Sequence, residues 1–113
     1  MSDTNQENKE PRMPLPPASF EFLTLSLRTQ AEFQLGLMHF GAPEEKPEPD
    51  LELARHSIDL MAVLQEKTRG NLSLEEQRLL ENSLTELRFR FIQVMEDSKK
   101  EKAANAESPS SQG

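Results

Sequence analysis

Seven of the eight prolines in this 113-residue chain fall in two short stretches, 11–17 and 43–49, and they decide where a helix can run. Proline has no amide proton to donate and its ring clashes with the preceding turn, so a cluster of prolines rules out a helix interior. Upstream, Pro11, Pro14, Pro16 and Pro17 stand among polar residues with almost nothing apolar to offset the entropy of ordering, so residues 1–18 read as a disordered arm. Gly41-Ala-Pro-Glu-Glu-Lys-Pro-Glu-Pro49 has a strong polyproline bias and reads as an extended connector. At the other end, Lys99-Lys100-Glu101-Lys102 leads into a polar, Ser-rich run, so residues 98–113 read as a disordered, solvated tail. The foldable part is 19–97, one small domain.

Within that part the apolar spacing is helical and predicts an all-α fold. Ser19 can cap a first helix over 20–40, with Glu21 in its first turn and Gly41-Ala-Pro43 as its stop. Leu23, Leu27, Ala31, Leu35 and Met38 form one stripe, and Phe22, Leu25, Phe33, Leu37 and Phe40 a second, so this helix is apolar over a wide arc. The alternation of Phe20 to Leu27 also suits a strand, but a lone strand would have no pairing partner in the chain. Asp50 caps a second helix, 51–68, which buries Leu53, Ala54, Ile58, Leu60, Met61 and Leu64 and ends before Gly70. Ser73-Leu-Glu-Glu76 is a capping box that opens a third helix, 74–97. Leu80, Leu84, Leu87, Phe91 and Val94 give it a heptad-like seam. The last two helices, joined by a few residues, should form an antiparallel hairpin.

The net charge of −7 divides into about −1 for the arm, −7 for residues 19–97 and +1 for the tail. An acidic domain surface repels phosphate backbones and anionic lipid, so neither nucleic acid nor membrane is expected as a partner. Absence of cysteine removes disulfides, thiol catalysis and thiolate metal ligands, and fits a reducing compartment. The start is polar and proline-rich where a secretory signal would be apolar. The Phe20 to Phe40 stretch carries too many polar residues to span a bilayer. Cytoplasmic location is the expectation.

Asp50-Leu-Glu-Leu-Ala54, Ile58-Asp59-Leu60, Leu64-Gln-Glu-Lys67-Thr68-Arg-Gly70-Asn71-Leu72, Glu75-Glu76, Leu79-Leu80 and Glu86-Leu87-Arg88 carry a resemblance. Together with Leu27 and Leu35-Gly36 in the Phe22 to Gly41 segment, they are similar to a bacterial family of small proteins, the domain of unknown function eighteen-forty-four. The resemblance covers most of residues 20–95. It implies a bacterial, intracellular, helical protein and brings no activity and no catalytic residue with it.

Nothing in the chain reads as an active site, and no catalytic residue, cofactor or metal site is expected. Glu52 and His56 lie one turn apart, but helical-bundle metal sites need a repeated i,i+3 Glu-His pair and further inward carboxylates. Lys67 to Asn71 offers cations, a hydroxyl and a glycine, yet it sits at a helix C-terminus, where the dipole disfavours anions. Helix capping explains those residues better. Asp59 and Glu66 have no nucleophile or oxyanion donor to serve and read as solvated carboxylates.

The remaining signal is surplus apolar surface. The third helix outruns the second, leaving Phe89, Phe91, Ile92 and Met95 overhanging, while Phe33, Leu37 and Phe40 lie on the broad arc of the first. These residues with Arg88, placed to pair with a partner's carboxylate, form the expected interaction surface. The expectation is a non-enzymatic interaction module that self-associates as a homodimer or larger assembly. The alternative is a subunit or regulator that docks on a heterologous protein complex. A small-molecule- or metal-dependent enzyme is the third reading.

Overall fold

A computed structural model describes residues 13–45 and 47–112, with side chains as far as Ala104. They form three helices and a single 3-10 turn: α1, Phe20–Gln34; the turn, Pro43–Glu45; α2, Leu51–Lys67; and α3, Leu74–Gln112. No strand occurs among the described residues. Residues 1–12 of the expected arm, Lys46 of the connector and Gly113 lie outside the described residues; Met13 to Ser19 are exposed and without regular structure.

Ser19 opens α1 as expected, its hydroxyl accepting from the Phe22 amide at 3.0 Å. The end differs from the sequence reading. The helix stops at Gln34, not at residue 40, because Gly36 adopts φ +79° and closes a Schellman turn. The Gly36 amide donates to Phe33 O at 3.0 Å and the Leu37 amide to Glu32 O at 2.9 Å. In a helix continued to residue 40, the Gln34 carbonyl would take the Met38 amide. Instead it accepts the Asp50 amide at 2.8 Å, which ties the start of α2 to the end of α1. A Cβ on Gly36 would lie in ordinary contact, 3.4 Å from the Pro47 carbonyl oxygen and 3.6 Å from the Pro49 ring, so it is the φ that requires glycine here. The connector is therefore packed against the end of α1, and at Pro43–Glu45 it tightens into the 3-10 turn where a purely extended path was expected.

Asp50 caps α2 by accepting the Leu53 amide at 3.1 Å. At the other end the Thr68 hydroxyl donates to Leu64 O at 2.8 Å and Gly70 takes φ +87°. The capping box is formed in both directions: Glu76 N donates to Ser73 Oγ at 3.1 Å and Ser73 N to Glu76 Oε1 at 2.8 Å. The third helix continues beyond 97 to Gln112. Lys99 to Ala104 is rich in strong helix formers and is exposed, so the composition that marked a solvated segment also sustains helical backbone without tertiary support.

The core is one cluster drawn from all three helices: Ala31 and Leu35 at the end of α1, Ala54, Ile58 and Met61 from α2, and Leu80, Leu84 and Leu87 from α3. Phe20, Leu27, Leu37, Leu51, Leu72, Phe91 and Val94 pack around it. The seam expected for α3 is thus realised from Leu80 to Val94. On the other helices the buried face is shifted toward small residues: Thr24 and Ser57 are buried, while Leu23, Leu53 and Leu60 are nearly half exposed. Ser57 Oγ donates to Gln34 Oε1 at 2.6 Å, a polar tie between α1 and α2. Gln65 and Thr68 share a depression with Leu80 and Glu81, whereas Pro47 to Pro49, just before α2, share one with Val94 and Asp97. That opposition of ends is what an antiparallel α2–α3 hairpin requires.

Candidate interaction surface

The residues expected to form an interaction surface separate into three groups. Leu37 and Phe91 are partly buried against the core, and Met95 is also half-buried, so they serve the fold first. Leu37 reaches this position because the Schellman turn sends the chain back toward the bundle. Beside it, Leu35, Leu37 and Val94 floor a cleft rimmed by Glu48, Asp97, Lys100 and Glu101.

The second group sits past the end of α1. Phe40 is 89% exposed, and its ring stacks on Phe33 at a centroid distance of 5.2 Å with the planes inclined by 30°. Positive φ at Gly41 (+110°) and the bond between His39 Nε2 and the Ala42 carbonyl oxygen at 3.0 Å hold the return of the chain. Phe22 and Leu25, each 43% exposed, extend the same outward side of α1 toward its start.

The third group lies on the solvent side of α3. Phe89 is 60% and Ile92 53% exposed, three residues apart, and therefore neighbours on one face. Arg88 beside them is exposed. Charges surround this pair: Arg90 Nη1 lies 3.6 Å from Glu86 Oε2, one turn earlier on the helix, and Glu96 follows one turn after Ile92.

Phe22 and Leu25 belong to the outward group, although only Phe33, Leu37 and Phe40 were named from α1 in the sequence reading. The signal for them is the second apolar stripe itself, once Thr24 and Ala31 are known to face inward.

The sites weighed for chemistry are occupied by structural work or stand open to solvent. Thr68 spends its hydroxyl on Leu64 O, in line with the capping reading of Lys67 to Asn71. Glu52, His56 and Asp59 line one shallow depression at the start of α2. Among the described residues no group of three or more His, Cys, Asp or Glu is placed to hold a metal ion. Asp59 and Glu66 are exposed. Among the described residues, no helix is long and apolar enough to cross a membrane.

Comparison with curated proteins finds no match, and neither does comparison with solved structures. The profile of the domain of unknown function DUF1844 does match, over residues 17–93, from the cap of α1 to the end of the α3 seam. With about two thirds of its length inside that match, and with every buried core residue falling within it, the chain belongs to the DUF1844 family.

Proposed function

We propose that the chain is a non-enzymatic protein–protein interaction module that associates with itself. The observation that supports this reading is the outward side of α1. Phe22, Leu25 and Phe40 stay in water although α1 already supplies Ala31 and Leu35 to the core. A monomer rarely leaves two sides of one short helix apolar unless the second is covered by another chain.

In this reading the acidic surface keeps the module away from nucleic acid and anionic membrane, and its place is the cytoplasm. Sedimentation equilibrium of the full chain tests the proposal. A dimer or larger species at micromolar concentration is expected, and a compact monomer up to about 100 μM, a Kd weaker than roughly −5.5 kcal/mol of association, would overturn it.

A further inference from the structure

The cleft where the end of α1, the connector and α3 meet has two unlike ends. Leu35, Leu37 and Val94 close its inner end with aliphatic side chains, and Pro47 and Pro49 continue that surface along one wall. Val94, Asp97, Ser98 and Glu101, spaced three, one and three apart, share one face of α3 and form the facing wall. Both walls are held by backbone hydrogen bonds: the Asp50 amide takes the Gln34 carbonyl just behind Pro49, and α3 keeps its helical course past residue 101. The outer end is acidic. Glu48 from the connector and Asp97 and Glu101 from α3 set three carboxylates there against the single ammonium of Lys100. All four side chains are exposed. Among the described residues the ion pairs are Arg28–Glu32 and Glu86–Arg90, so no carboxylate of the cleft is engaged in one.

We propose that this cleft docks an extended segment of another protein, one in which an aliphatic residue and an arginine or lysine stand two positions apart. Charge complementarity selects the occupant. Three carboxylates against one ammonium leave a local excess of two negative charges in a chain whose net charge is −7, which draws a cationic partner and disfavours a second acidic copy at this place. A cation alone would gain little, because solvent screens exposed carboxylates. The aliphatic floor adds the second requirement. Seven residues of helix separate Val94 from Glu101, a rise of about 10 Å, which an extended chain covers in about three residues. Alternate side chains of an extended segment point the same way, so positions i and i+2 reach the floor and the carboxylates together. The inference is independent of self-association through α1, since the cleft lies past the end of that helix.

The test is a titration of the isotope-labelled full chain, followed by amide chemical shifts, with the acetylated and amidated peptide Ala-Leu-Ala-Arg-Ala-Lys. Saturable shifts confined to Leu35 to Leu37, Glu48 and Val94 to Glu101 are expected, with a Kd below about 1 mM. Replacing the peptide's leucine by glycine, or both its cations by glutamine, should weaken binding at least about 10-fold. The exposed pair Asp97→Lys with Glu101→Lys should cause a similar loss and should instead bind the peptide that carries glutamate in place of both cations. That exchange of preference separates a changed site from a lost fold. Asp59→Lys with Glu66→Lys makes the same change in net charge at exposed positions of α2 and should leave binding within about twofold of the parent. Absence of binding at about 5 mM peptide, equal binding without the leucine, or an equal loss in the α2 variant overturns the proposal. Two further outcomes also overturn it. Cleft shifts that grow with protein concentration alone would place a second copy there. Bleaching of the cleft amides in dilute chain by a spin label at Lys9→Cys, the one cysteine of that variant, would place the chain's own arm there.

Discussion

The outward sides of α1 and α3 are both apolar in places, and the contrast between them is instructive. On α3 the exposed Phe89 and Ile92 interrupt a charged surface, while the opposite seam, Leu80 to Val94, does the packing. On α1 the charges are gathered on one flank, the fully buried positions Thr24 and Ala31 are small, Phe20 and Leu27 pack half-buried beside them, and Phe22, Leu23 and Leu25 face out. One helix is amphipathic toward its own core. The other divides its apolar residues between its own core and the outside. A helix of the second kind is stable in isolation only at the cost of a sticky exterior, and the proposed self-association is therefore assigned to α1 and not to α3.

The sharpest way to break this contrast is to truncate one large side chain on each helix. Leu84, 1% exposed in the α3 seam, leaves a cavity when replaced, so Leu84→Ala should lower unfolding free energy by about 3 kcal/mol. Phe22→Ala on α1 removes a larger side chain that is 43% exposed, and should cost less than about 1 kcal/mol of folding while weakening association. Urea titrations repeated over a range of protein concentrations separate the two quantities, because only the association part varies with concentration. Equal losses at the two positions would show that Phe22 belongs to the core after all.

The second comparison is between the ends of α1 and α2, each followed by a glycine at positive φ. Gly36→Ala should cost between about 1 and 2 kcal/mol, because alanine is strained at φ +79° and its methyl would reach the Pro47 carbonyl oxygen at 3.4 Å, the near edge of ordinary contact. Gly70→Ala meets nothing within 4 Å at φ +87° and should cost only about 1 kcal/mol, the backbone strain alone. Thermal unfolding of the two variants separates steric crowding from strain.

These two glycines also mark what the sequence could and could not disclose. Local signals with fixed chemistry were legible: the Ser19 and Asp50 caps, the Ser73–Glu76 box and the seam of α3 all stand where their spacing put them. The end of α1 was not, because apolar residues continue through Leu37, Met38 and Phe40 and mimic a longer helix. What stops it is Gly36 at φ +79°, a glycine inside an apolar run that gives no unique stop signal, and the Asp50 amide then takes the Gln34 carbonyl that a longer helix would have used. The outward role of Phe22 and Leu25 was hidden for a similar reason. Two apolar stripes on one helix look alike until packing chooses the one with room for a close neighbour, and it chose the side with Thr24 and Ala31. The surface grouping of Leu37 and Phe91 with Phe40 and Phe89 missed the same choice, since the first two turn inward.

That choice left a residue of polar cost on the inner sides. Thr24 Oγ1 on α1 and Ser83 Oγ on α3 are buried and make no hydrogen bond among the described residues. Each hydroxyl loses its hydration without gaining a bond. Thr24→Val, which keeps the shape, should therefore raise unfolding free energy by up to about 1 kcal/mol, and Ser83→Ala by somewhat less because it also removes volume. Chemical denaturation measures both. A loss of stability at Thr24 would mean that the hydroxyl has a partner and that the inner side of α1 is more polar than its contacts indicate.

The smallest effect concerns the charges that set the two outer faces apart. Glu86 and Arg90 on α3 are 3.6 Å apart with side chains 47% and 40% exposed, so solvent screens their attraction and the pair contributes little beyond what any i,i+4 pair gives an isolated helix. Glu86→Gln should shift unfolding by less than about 0.5 kcal/mol and lose even that in 1 M salt. The substitution removes one of the charges ringing Phe89 and Ile92. If these charges are what keep α3 from pairing with another copy, the variant should associate more tightly than the parent at low salt, and the parent should approach it as salt rises. If neither change alters association, the charges around Phe89 are incidental, and the small area of the patch is what keeps α3 out of the interface.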